Sequence, residues 1–330
     1  MKLLKSIYFL SIAVLFLSCK ENGITFSELL REYKQFNNDE HKDLEGKNIN
    51  FEGLCSPLLA TRFANFDQLK QIVQIEYYRD SSVYDIEAKP ESVVVLNYNC
   101  GQANLKKQLR SGISQAEIMN ITKGSKNGQL NFIFKHSALV RERKQLEAVY
   151  RLARKKEEYY GSGDVAFYLI SEATFRNINT PELAYLTFRD SLEKGYINTF
   201  NHITAQAIIT AFFSEELANI VSDLHERANM PELTTGLFSE KQLMDTINYP
   251  VDNYVDLVNN RIGQLLGNKI RECYKLDEYT VCTPELLCSI LNKIEEYYMW
   301  SMGVGMEPFH ASEELVIKFS RKMNLVRGEL

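Results

Sequence analysis

The sequence predicts an α+β fold in which a small, mainly β domain is followed by an all-α domain. Two patterns carry this. Between residues 48 and 135, five short runs rich in β-branched and aromatic side chains follow one another closely, the spacing of a small barrel or sandwich. From residue 145 to 330, apolar side chains return at helical intervals, with Ser, Thr and Pro at the expected starts. The first nineteen residues belong to neither part.

Those nineteen, MKLLKSIYFLSIAVLFLSC, read as a secretory leader. Lys2 and Lys5 form a positive start, and Ile7 to Leu17 is an apolar run broken only by Ser11. That run is shorter than the roughly 20 apolar residues a bilayer core requires, and has the length and flanks of a signal peptide. Leu17-Ser18-Cys19 closes it. A small residue before Cys resembles the lipobox of bacterial lipoproteins, with Phe16 where Leu is usual. The resemblance implies cleavage before Cys19, triacylation of that residue and anchorage in a lipid bilayer. Lys20-Glu21-Asn22 resembles the short tag that directs lipoproteins to the cell surface. The expected location is the outer membrane or cell surface, with a periplasm-facing leaflet as the alternative.

Along the mature chain, Phe26, Leu29, Leu30, Tyr33 and Phe36 predict a helix over 24–40. Strands are then expected at Asn48–Cys55, Gln71–Tyr78, Ser92–Tyr98, Ala116–Thr122 and Leu130–Lys135, the last two joined through a glycine-rich hairpin at Lys123–Gly128. The stretch Leu44–Gly53 resembles the first strand of small OB-fold domains found in bacterial lipoproteins, which implies an OB-like domain over 24–140. Arg141–Tyr160 is highly charged and reads as a solvated linker helix. The helical domain over 145–330 should then hold helices at 165–178, from Thr180-Pro181, and near 198–213, 214–229, 239–247, 252–270, 283–300 and 311–325. Ser214, Ser239 and Thr283 are the expected N-caps.

Three helical segments place polar residues on otherwise apolar faces. They are Asn198–Gln206 with His202 and Gln206, Asp223–Glu226 with Asp223, His225 and Glu226, and Asp256–Gly263 with Asp256, Asn259 and Asn260. Isolated polar groups in a core are costly unless they find partners, so three such faces can satisfy one another by meeting. Asp256, Asn260, Gly263 and Gly267 line one stripe, and the glycines would let a second helix approach closely.

These segments resemble an uncharacterised family of bacterial helical domains seen in secreted and lipid-anchored proteins. Its pattern is an Arg-His pair, then Asp-x-His-Glu, then Met-Asp-Leu-x-Asn-Asn-x-x-Gly. His202 matches the first, with Asn201 in place of the Arg. Asp223, His225 and Glu226 match the second, and Asp256, Leu257, Asn259, Asn260 and Gly263 the third, with Val255 where Met is usual. The resemblance supplies positions and no reaction.

Two readings of the cluster stay open. His202, His225, Glu226 and Asp256 include metal-ligand and acid–base types, so they are candidate catalytic residues of a hydrolase using one divalent metal. Asp223, Asn259, Asn260 and Gln206 are candidate binding residues. Against this, the spacing is no established metal signature, and His225 and Glu226 point about 100° apart on a helix. The other reading is a buried network that sets helix register. The overall expectation is an extracytoplasmic lipoprotein that binds an envelope protein or a ligand through its helical domain, with the hydrolase as alternative.

Composition narrows the classes. Loss of residues 1–18 leaves 36 basic side chains against 43 acidic ones, a formal charge of −7, so nucleic acid is not an expected partner. Cys55 and Cys100 end strand-like runs and could pair, with single buried thiols an equal alternative for them. Two of Cys273, Cys282 and Cys288 could also pair, although buried thiols serve equally well. No P-loop, G-x-S-x-G elbow or Cys/His zinc spacing is present.

Overall fold

The computed structural model describes residues 47–80, 91–122, 124–235, 238–244, 250–328 and 330. The expected leader, the expected lipidation site Cys19 and the expected helix over 24–40 lie outside them.

The α+β class holds: a small antiparallel sheet in the N-terminal half precedes a helical part. After the short helix α1 (Phe66–Lys70), strands β1 (Val73–Asp80), β2 (Glu91–Cys100) and β3 (Ala103–Arg110) pair in sequence order. The first two match expected strands. The third was not foreseen, because Lys106, Lys107 and Gln108 hide its period. Leu105, Lys107 and Leu109 face inward and are buried, so the alternation is that of a half-buried strand with a lysine at one inward position. A two-residue turn joins β2 to β3, and Gly101 there takes φ +71°, a conformation glycine adopts without steric cost.

The described residues supply three strands rather than the five of an OB barrel. Two of the missing strands are helices, α2 (Gln115–Thr122) and α3 (Lys126–Lys135). Ser114 and Glu117 explain the first. Glu117 accepts bonds from the Ser114 amide (2.8 Å) and hydroxyl, while its own amide bonds the Ser114 hydroxyl. This capping box overrides the β-branched content that follows. Ser125 caps α3 by accepting from the Gly128 amide, so the glycine-rich run links helices instead of turning a hairpin.

The remaining expected strand, Asn48–Cys55, lies outside the sheet and is broken by a turn at Glu52-Gly53, where the Leu54 amide bonds the Phe51 carbonyl. Side chains of the helical part satisfy the backbone from Cys55 onward. Asn259 bonds both the amide and the carbonyl of Leu58, at 3.0 and 2.8 Å. Thr199 donates to the same carbonyl, and Tyr297 to that of Cys55. Cys55 is also joined to Cys100 at the end of β2 by a disulfide. Cys273, Cys282 and Cys288 are free.

The expected linker helix is broken into α4 (Ser137–Arg141), α5 (Arg143–Ala153) and α6 (Glu157–Tyr160). It is not a solvated rod: α5 buries Ala148, Val149 and Leu152. A buried knot marks the break after α5, where Lys322 Nζ bonds the Arg154 carbonyl (2.8 Å), Asp164 (2.8 Å) and the Val165 carbonyl (2.6 Å).

Then follow α7 (Phe167–Arg176), α8 (Pro181–Ala184), α9 (Asn198–Phe212), α10 (Glu215–Asn229), α11 (Glu232–Thr235), α12 (Glu240–Met244), α13 (Val251–Tyr274), α14 (Pro284–Met302) and α15 (Glu314–Gly328). Ser214 and Thr283 cap α10 and α14 as expected, and Ser239 makes a capping box with Gln242 before α12. Thr180 does not cap α8; its hydroxyl accepts the Gly305 amide instead.

Helix α13 is the axis of the helical part. It packs against α9, α10 and β3, and its contact with α9 is unusually close. A Cβ placed on Gly263 would lie 2.5 Å from the Ile203 carbonyl oxygen, and one on Gly267 2.5 Å from that of Ala207. Buried side chains of the sheet (Val73, Val94, Leu96) and of α9, α13 and α14 belong to one continuous core. Among the described residues, no helix is long and apolar enough to cross a membrane.

Candidate functional site

The close α9–α13 approach forces the polar residues on those faces together. Asn198 and His202 come from α9, Asp252, Asp256 and Asn260 from α13, and Glu226 from α10. Lys194 reaches in from the wide turn Glu193–Ile197 that leads into α9.

The imidazole of His202 is central. Its Nε2 lies 3.3 Å from an Asp256 carboxylate oxygen and its Nδ1 lies 2.9 Å from the Asn260 Oδ1. Asn260 spends its amide nitrogen on Glu226 Oε1 (2.9 Å), so its oxygen faces the ring and accepts from Nδ1–H. Nε2 is then the nitrogen that addresses Asp256. Asn198 donates to Asp256 (2.9 Å) and to Asp252 (3.3 Å). Lys194 pairs with Asp252 at 2.6 Å. Exposure falls inward, from 40% for the Lys194 side chain to 12% for His202, 7% for Asp256 and 1% for Glu226.

Three carboxylates thus face two cationic side chains, and the imbalance shows in their titration. Burial pushes the Glu226 carboxyl well above the ordinary carboxylate range, and the Asp256 charge adds to this, against the pull of His202 and Asn260. Burial and Asp256 likewise raise Asp252, against Lys194. For His202, burial disfavours the charged ring, but Asp256 and Glu226 together outweigh it and hold the imidazolium. One atom each from His202, Glu226 and Asp256 lies within 4.8 Å of the other two; these are the residues here that could hold a metal.

Of the expected catalytic residues, His202, Glu226 and Asp256 converge, and His225 does not. It points to the exposed side of α10, its ring centroid 6.2 Å from that of His202, as the 100° step on the helix requires. Partial enclosure by neighbouring side chains, then the His202 charge, holds its pKa below that of an ordinary imidazole, an effect that its exposure to solvent weakens.

Of the expected binding residues, only Asn260 joins the cluster. Asp223 instead pairs with Lys107 of β3 (2.7 Å) and Arg227 (3.6 Å). Gln206 accepts from Gln264 (3.0 Å) within the α9–α13 interface. Asn259 holds Leu58. Asn198 and Asp252 were not foreseen, although each lies four residues before a foreseen one, His202 and Asp256, and so extends the same stripe by a turn. Lys194 had no such signal.

A scan of the chain against protein-family models finds no match, and neither a curated protein nor a solved structure matches it. The reading of the cluster therefore rests on its own geometry.

Proposed function

We propose that this is a lipid-anchored protein of the bacterial envelope that binds a cationic ligand through the polar cluster of its helical part. One observation carries the reading: Asp252, Asp256 and Glu226 converge from two helices on only two cations, Lys194 and His202, in a cluster that reaches solvent at Lys194. Buried carboxylates in excess are costly, and a cation that neutralises them binds the folded chain and not the unfolded one. The anchor is read from Lys2–Cys19 and has its own check, since an acyl label taken up by the wild-type chain should be absent from Cys19→Ser.

The binding reading is tested by the melting temperature of the mature chain with millimolar spermidine, methylamine, magnesium, zinc or manganese, beside Asp256→Asn. At least one cation should raise the melting temperature of wild type by several degrees and leave the variant unmoved. If no cation shifts wild type, the cluster is a register-setting network and the reading fails.

A further inference from the structure

The spacing of the donors narrows the ligand. The separation of 3.3 Å between His202 Nε2 and the Asp256 oxygen is that of a direct ion pair; it also matches the edge of a tetrahedron with metal bonds of about 2 Å, so an ion that displaces the Nε2 proton needs little movement of either group. An ammonium group bonded to both atoms at about 2.8 Å would hold them more than 4 Å apart. Glu226, whose Oε1 lies 3.9 Å from His202 Nδ1, completes a triad in which one atom of each residue lies within 4.8 Å of the other two.

Donor type and charge agree. One imidazole nitrogen with two carboxylates is a mixed set that suits zinc or manganese, whereas calcium takes six to eight oxygens. Two carboxylates neutralise a divalent ion, and Asp252 with Lys194 remains a separate neutral pair. Asn260 is placed as the positioning residue. By accepting from Nδ1–H it turns Nε2 toward the ion, and it steadies Glu226 with its amide, the outer partners that metal-bound imidazoles and carboxylates commonly have.

Resting on the cation-binding reading, we infer that the ligand is a single divalent transition-metal ion held by His202 Nε2 and one carboxylate oxygen each of Glu226 and Asp256. The test is calorimetric titration of the chelator-stripped mature chain with zinc chloride and with manganese chloride, supported by mass-spectrometric metal analysis. Wild type should take up one equivalent with micromolar affinity or better. Asp256→Asn and Glu226→Gln, which keep shape, should each weaken binding at least a hundredfold. Asn260→Ala should weaken it about tenfold, and Asp223→Asn, whose partner is Lys107, should stay within twofold.

No uptake of either metal by wild type at millimolar concentration overturns the inference, as does uptake unchanged in both cluster variants. If spermidine or methylamine then still stabilises wild type, the broader cationic reading survives alone. If nothing does, both fall. Wild type decides these outcomes, so a variant that folds poorly does not rescue the inference.

Discussion

A single buried carboxyl shows how finely this core is balanced. Glu295 of α14 is 2% exposed; its Oε1 accepts from Asn177 at 2.8 Å, while its Oε2 has no hydrogen-bond partner among the described residues. Burial, the largest influence, pushes its pKa up to about 8, against the Asn177 bond. The folded chain therefore holds a proton that the unfolded chain releases above about pH 4.5. Between about pH 4.5 and 8 the folded state holds this extra proton, so the contribution of Glu295 to stability falls as pH rises and levels off above about 8. The full loss is on the order of 5 kcal/mol. Urea unfolding at pH 5 and pH 9 should show a decline in wild type that Glu295→Gln reduces by this amount, the raised Glu226, Asp252 and His202 of the cluster accounting for the remainder. Among polar residues generally, those lying on an apolar helical face were legible in the sequence, and His202, Glu226, Asp256 and Asn260 did meet. The period names the face and not the neighbour. Asn259 and Asn260 are adjacent in sequence but a hundred degrees apart on α13, and so one grips Leu58 while the other serves the cluster.

Between elements, the decisive contact is the glycine stripe of α13 against α9. In an exposed helix, Gly→Ala gains up to about 1 kcal/mol through propensity. Here the added methyl would press on backbone carbonyl oxygens at 2.5 Å, and backbone cannot swing aside as a side-chain end can. Overpacking of this kind costs about 1–3 kcal/mol, so Gly263→Ala and Gly267→Ala should both lower stability in denaturant titrations. Gly263 lies beside Asn260, and its substitution should also disturb the cluster more than that of Gly267, read as a shifted His202 imidazole resonance. The close approach was foreseen from glycine spacing because that depends on one helix alone. The strands were harder. A capping box at Ser114 and Glu117 made helix of a run that resembled strand, and Lys107 concealed the period of β3 because its inward position is tolerable only with Asn219 and Asp223 waiting on α10. No local pattern contains that information.

Over the whole molecule, the sheet and the helical part are tied at one seam. The chain after Cys55 runs across α9, α13 and α14, held by Thr199, Asn259 and Tyr297, while Cys55 itself is bonded to the end of β2 across 45 residues. Cross-linking that separation removes denatured-state freedom equivalent to about 4 kcal/mol by loop-closure reasoning, and native disulfides contribute about 2–5 kcal/mol in practice. Such a bond suits the oxidising compartment expected from the proposed leader. Reduction should therefore lower the melting temperature of the mature chain by several degrees, and Cys55→Ser with Cys100→Ser should reproduce the loss without reductant. Two mechanisms can be separated. If the bond acts only on the unfolded chain, the double variant keeps its folded structure and the metal affinity proposed above. If it also seats the Leu58 segment, Asn259 loses its partner, α13 shifts at the next residue, and metal affinity falls with stability. The second outcome is expected, because Leu58 bonds Asn259 through both of its backbone groups and Asn260, which follows directly, orients His202.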